Sequence, residues 1–187
     1  MAISATQVKE LREKSGAGIM DCKRALEQSD GDVEKAIQLL KQKGLASAEK
    51  KSGRAASQGL IEPYIHGAGR IGAIVEVNCE TDFVARTPDF RDLAHDLAMQ
   101  VAATAPKYVS LDDVPEGEWA ALEKEYGSRE QAVAGAVLLE QSFIKDAKLT
   151  IRDLIWDRIA KLGENILVAR FARFEVGEAA RAGAEEE

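Results

Sequence analysis

Apolar positions recur with two different periods along the chain, and the change falls near Gly59. Before it, the spacing is helical. Ser4 and Gln7 stand as a capping box, a hydroxyl at a helix start and an amide three residues on. Val8 and Leu11 follow as an apolar stripe, and Gly16 and Gly18 mark the end of that helix. A second helix is predicted over 19–28. Ser29, Asp30, Gly31 and Asp32 read as a turn that carries cap chemistry. Val33, Ala36, Ile37 and Leu40 then predict a third helix, which Gly44 closes. So short a three-helix unit has little core and is marginal unless well packed.

After Gly59 the texture becomes β-rich. Segments 60–66 and 71–78 read as strands, and Gly67, Ala68, Gly69 and Arg70 between them as the turn of a hairpin. A helix is predicted over 89–105, with Phe90, Leu93, Ala94, Leu97, Ala98 and Val101 on one stripe and Pro88 and Pro106 as brackets. Segment 107–130 is polar, with a short helix over 116–126 whose apolar side is Trp119 and Leu122. Segment 132–142 is too rich in alanine to assign. An amphipathic helix is expected over 151–162, burying Leu154, Ile155, Ile159 and Leu162. Segment 166–176 alternates as a strand through Ile166 and Val168, with Phe171 and Phe174 displaced by a register change. The pattern predicts an α+β protein: a three-helix unit (1–44), a basic linker (45–58), an α+β core built on a small antiparallel sheet with packed helices (59–176), and an acidic disordered tail (177–187).

Composition narrows the class. Of 187 residues, 25 are Lys or Arg and 32 are Asp or Glu, a net charge of −7. That balance argues against a dedicated binder of phosphate backbones, so no direct nucleic-acid contact is expected. No apolar run approaches the roughly 20 residues of a membrane helix. Lys9, Arg12 and Asp21 break up any signal-peptide core. Cys22 and Cys79 have neither metal spacing nor a disulfide framework and read as small core residues, which points to a cytosolic or organellar compartment.

Catalytic constellations are missing from the sequence. There is no phosphate-cradling loop, no nucleophile elbow and no helical His pair. His66 and His95 stand alone on different elements. The expectation is a protein that is not an enzyme and that needs neither cofactor nor metal. One segment is unusual: Asn78-Cys79-Glu80-Thr81-Asp82-Phe83-Val84-Ala85-Arg86 follows directly from the second strand. Thr81 or Asp82 can cap a short helix there. Phe83 and Val84 then either pack into the core or present an aromatic anchor beside a carboxylate, a composition typical of interface hot spots.

That segment, with the strand Ile74-Val75-Glu76-Val77 before it, resembles the signature of the elongation factor Ts family. The resemblance extends to 8–26, to the following Gly-Asp-Val-Glu-Lys run, and to segments 95–110, 138–146 and 161–177, in family order over nearly the whole chain. It implies a guanine-nucleotide exchange factor that binds the GDP form of elongation factor Tu, promotes GDP release, and works in the cytoplasm of a bacterial-type or organellar translation system. It implies that the first helical unit is ubiquitin-associated-like and contacts the GTPase through Arg12, Ile19, Met20 and Lys23, where the plainer alternatives are core packing for Ile19 and Met20 and solvated charge for Arg12 and Lys23. It implies that Thr81, Asp82, Phe83 and Val84 disturb the Mg²⁺ site of elongation factor Tu. A ubiquitin-associated-type adaptor that binds another partner without exchange is the rival reading.

The chain departs from the family pattern in places. Many members carry a longer helical protrusion where this chain runs directly from Glu125 to Ala132, and Ser142 stands where the family usually has Pro. Longer members also have two β-containing core halves. This chain has one, and a lone small sheet leaves an apolar face or edge open, so a homodimer is expected. Ala172 offers no thiol in the last strand, so that dimer is noncovalent there.

Overall fold

The computed structural model describes residues 3–15 and 17–178. The N-terminal unit starts at the expected capping box: Ser4 accepts from the Gln7 amide at 3.2 Å, and Gln7 Oε1 takes the Ser4 N–H at 3.0 Å. Helix α1 covers Ala5–Ser15, α2 Ile19–Gln28 and α3 Val33–Lys51, the last capped by Asp32. Leu11, Cys22, Ala25, Leu26 and Ala36 form their small buried core. The expectation that Gly44 closes the third helix is corrected, because α3 runs through it for seven more residues. A glycine inside a helix costs only about 1 kcal/mol relative to alanine, and here it permits a close crossing. A Cβ on Gly44 would lie 3.4 Å from the Ala160 Cβ.

The chain then forms strand β1 (Gln58–His66) and strand β2 (Ile71–Cys79), an antiparallel hairpin. Pro63 is tolerated in β1 because that strand lies at the sheet edge. Gly59 is required: its φ is +153°, and a Cβ there would stand 2.1 Å from the Val77 carbonyl oxygen. A single helical turn, α4 (Asp82–Ala85), leads into α5 (Pro88–Thr104), whose Pro88 occupies the first turn, where no intrahelical N–H is needed.

The polar region holds α6 (Trp119–Tyr126) and, in the alanine-rich stretch, α7 (Arg129–Ala136). They pack as a pair around Trp119, Leu122, Ala132 and Ala136, with the Arg129 guanidinium 3.3 Å from the Trp119 ring centre. A second hairpin, which the residue pattern did not predict, joins β3 (Ser142–Phe143) and β4 (Asp146–Thr150). Helix α8 (Ile151–Leu162) opens with a Thr150–Asp153 capping box and ends at Gly163, φ +81°. Strand β5 (Ile166–Glu175) closes the sheet in the order β1-β2-β5, all antiparallel.

One face of that sheet is the core. Ala73, Val75, Val77 and Cys79 of β2, with Ile166 and Val168 of β5, pack against Phe90, Leu93, Leu97 and Val101 of α5 and against Leu154, Ile155 and Ile159 of α8. Leu162 is half-buried at its rim. Register shifts between Glu76 and Val77, leaving Ala169 as the extra residue of a bulge. The bulge puts Phe171 on the inner face and turns Phe174 outward, where it is 67 % exposed. The tail residues 179–187, read as disordered from sequence, lie outside the described residues.

Candidate functional site

Just past the end of β2 stands Phe83, the most exposed large hydrophobic side chain among the described residues. Thr81 caps α4, its hydroxyl accepting from the Val84 N–H at 3.4 Å. Thr87 closes the far side: its hydroxyl donates to the Val84 carbonyl at 2.8 Å and accepts from the Phe90 N–H at 3.3 Å, starting α5. One turn of helix is thus fixed at both ends. Ala85 is buried and Val84 packs half-buried on the core, so they anchor the turn. Phe83 points the other way and is 80 % exposed. The reading in which Phe83 packs into the core is therefore overturned, while Val84 does pack there. Asp82 beside it pairs with Arg86 at 2.7 Å, an exposed i,i+4 pair worth a few tenths of a kcal/mol, about 0.3–0.5.

The segment under α4 is tied to the turn between α8 and β5. Glu164 accepts twice from Thr81, from its N–H at 3.0 Å and its hydroxyl at 2.6 Å. Glu80 accepts from the Asn165 N–H at 2.7 Å and meets Arg54 at 3.4 Å. Asn165, nearly fully buried, donates its side-chain N–H groups to the carbonyls of Arg54 at 2.8 Å and Ser52 at 3.4 Å. Sequence reasoning did not single out Glu164 or Asn165. The available signal was a helix-ending Gly163 followed by two side chains able to cap free backbone groups.

On the helical unit, Ile19 and Met20 are 56 % and 61 % exposed, which overturns the reading of both as core. Arg12, Ile19 and Lys23 line one hollow of about 370 Å³ with Ile3, Val8 and Lys9, while Met20 lies outside it. Lys23 makes only a loose 3.8 Å contact with Glu27. The lining combines apolar Ile3, Val8 and Ile19 with cationic Lys9, Arg12 and Lys23, a composition suited to an apolar anchor with acidic neighbours. No residue of α4 lines this hollow.

The cysteines and histidines belong to neither group of candidate residues. Both cysteines are buried and free. Burial first, and the Glu164 carboxylate second, push the Cys79 thiol up, disfavouring the thiolate. The two histidines, expected to stand alone, share Tyr64: His66 bonds its hydroxyl at 3.1 Å, and His95 meets its ring edge-on while contacting Glu62 at 3.1 Å. Among the described residues no group of three or more His, Cys, Asp or Glu could hold a metal ion, and no helix is long and apolar enough to cross a membrane.

The outer face of the sheet carries an apolar patch, bordered by the Glu76–Arg170 ion pair in the row of Ile61. Ile65, Gly72 and Phe174 form one row across β1, β2 and β5, and Pro63, Ile74 and Ala172 the next. Ile61, Ile65, Ile74 and Phe174 are all exposed there.

Comparison with known proteins gives a consistent result. A family model described as Elongation factor TS matches residues 45–135. The elongation factor Ts of Moorella thermoacetica is 56 % identical, with 94 % of this chain and 96 % of that protein covered. That of Carboxydothermus hydrogenoformans is 51 % identical over 94 % of this chain and 90 % of the relative. That of Coprothermobacter proteolyticus is 52 % identical over 95 % and 100 %.

Proposed function

The chain belongs to the elongation factor Ts family, whose members serve translation elongation in protein biosynthesis, and on that basis we propose that it is the guanine-nucleotide exchange factor for elongation factor Tu. The observation that carries this reading is Phe83, an aromatic ring held out in water on a helical turn capped at both ends. An exposed ring gains nothing from the fold; it gains on entering a partner's pocket.

The mechanism follows from charge. A Mg²⁺ ion on a nucleotide-bound GTPase offsets much of the phosphate charge. Phe83, pushed between two helices of elongation factor Tu, shifts the groups around that ion, with Val84 as its base on the core. Asp82 sits beside it to re-pair displaced partner groups, its present partner Arg86 being exposed and exchangeable. With the ion disturbed, the phosphates repel more and GDP leaves. By linkage, GDP weakens this protein's hold on the GTPase as much as the protein weakens GDP. No covalent bond is made or broken, so the protein is a binding factor and not an enzyme. The hollow with Arg12, Ile19 and Lys23, and the nearby exposed Met20, form the second contact, on the nucleotide domain.

A homodimer fits the same reading. The outer sheet face, with Ile61, Ile65, Ile74 and Phe174, is a surface that a second copy would cover.

Release of a fluorescent GDP from elongation factor Tu, with and without this protein, tests the proposal. Acceleration at catalytic amounts is expected. Binding without acceleration would instead identify a ubiquitin-associated-type adaptor.

A further inference from the structure

At the far end of β2 and β5 the last Cα pair is Cys79 with Ile166. Beyond it the chains diverge, one into α4 and the other toward α8. The amides of Thr81 and Asn165 would there lose the opposing carbonyls that a continued ladder supplies. Two side chains replace them reciprocally: Glu164 takes the Thr81 N–H, and Glu80 takes the Asn165 N–H. A carboxylate accepting a backbone N–H makes a stronger bond than a carbonyl does. Glu164 does more, because its second oxygen takes the Thr81 hydroxyl proton at 2.6 Å. That fixes the hydroxyl rotor with a lone pair left for the Val84 N–H, the bond that starts α4.

The consequence falls on Phe83. A four-residue helix has no propagation to stabilise it; one turn fixes several dihedrals for a single bond. Val84 and Ala85 hold the turn on the core, the caps fix how it is wound and hence the direction of Phe83, and the first cap is set by Glu164. We propose that Glu164 is a positioning residue for nucleotide exchange: it aims Phe83 by clamping both donors of Thr81. It acts through Thr81 and not by touching nucleotide or Mg²⁺. The inference rests on the reading of Phe83 as the group that enters the GTPase.

The test measures fluorescent-GDP release from elongation factor Tu against the concentration of this protein, below the thermal midpoint of every variant. Glu164→Ala removes both acceptors and is expected to lower the maximal release rate about tenfold, the scale of one charge-assisted hydrogen bond. Glu164→Gln keeps one carbonyl oxygen for the Thr81 N–H and is expected to recover to within about threefold of wild type. The half-saturating concentration should move less than the maximal rate. In a Phe83→Ala background, Glu164→Ala should change the maximal rate by less than about twofold, since nothing is left to aim. A tenfold loss in both backgrounds would show that Glu164 acts through the fold at large and would overturn the proposal. So would a wild-type rate for Glu164→Ala. If wild-type protein itself fails to accelerate release, the exchange reading falls instead, and the two failures are told apart by that one control.

Discussion

Gly59 and Thr81 show what single residues decide here. A side chain at position 59 would collide with the Val77 carbonyl, and the positive φ disfavours any L residue as well. Gly59→Ala is therefore expected to destabilise the fold by about 1–3 kcal/mol, the scale of a strained backbone site. Urea unfolding checks this, and an unchanged midpoint would contradict it. Thr81 was legible as a cap from sequence, because a hydroxyl before an acid and an apolar pair is a local signal. Glu164 was not, because its partner is 83 positions away and no local pattern connects them. Phe83 stood between two readings for the same reason. Local sequence shows an aromatic beside a carboxylate, but only the tertiary placement shows which way the ring points.

Among elements, helices with a clear apolar stripe between turn residues were the most readable. Helices α2 and α8 cover the predicted spans 19–28 and 151–162, the first although its N-cap Gly18 offers no side-chain bond. Helix α3 passes its expected stop because its last turns pack on the main core, where Ala48 is buried and Gly44 faces Ala160 of α8. The β3–β4 hairpin is short and weakly patterned, so alternation gave no signal. The bulge in β5 was anticipated as a register change, but which phenylalanine faces outward depends on where the extra residue sits. The groove between α3 and α8 also holds Asp157. Partial desolvation by the groove walls raises the pKa of this solvent-exposed side chain above the usual 3.8, Lys41 opposes the shift and Asp153 adds to it. An acid whose folded pKa is raised favours folding most below its unfolded pKa. That contribution is lost as pH rises from the unfolded value through the folded one. Because solvent screens an exposed group, Asp157→Asn should raise the thermal midpoint only slightly at pH 7, and the gain should shrink toward zero as pH falls to about 4. A gain that is constant with pH would contradict this cause.

For the whole molecule, the α+β class and the order of helical unit, hairpin, helix and final strand follow from periodicity, since the periods of helix and strand differ. The apolar patch on the outer sheet face did not follow from periodicity, because each strand alone reads as two-sided. It emerges only when β1, β2 and β5 are in register. A homodimer by light scattering at micromolar concentration is expected, and Ile74→Glu with Phe174→Glu should give a monomer. A wild-type monomer would contradict that use of the face. The central claim is that Phe83 drives nucleotide release from a partner and does not hold this fold together. Stopped-flow release of fluorescent GDP from elongation factor Tu, comparing wild type with Phe83→Ala, tests it most directly. Release is expected to slow at least about tenfold, the size of one interface hot spot, with the thermal midpoint unchanged because the ring is exposed. Release as fast as wild type, or a variant that loses its fold, would contradict it.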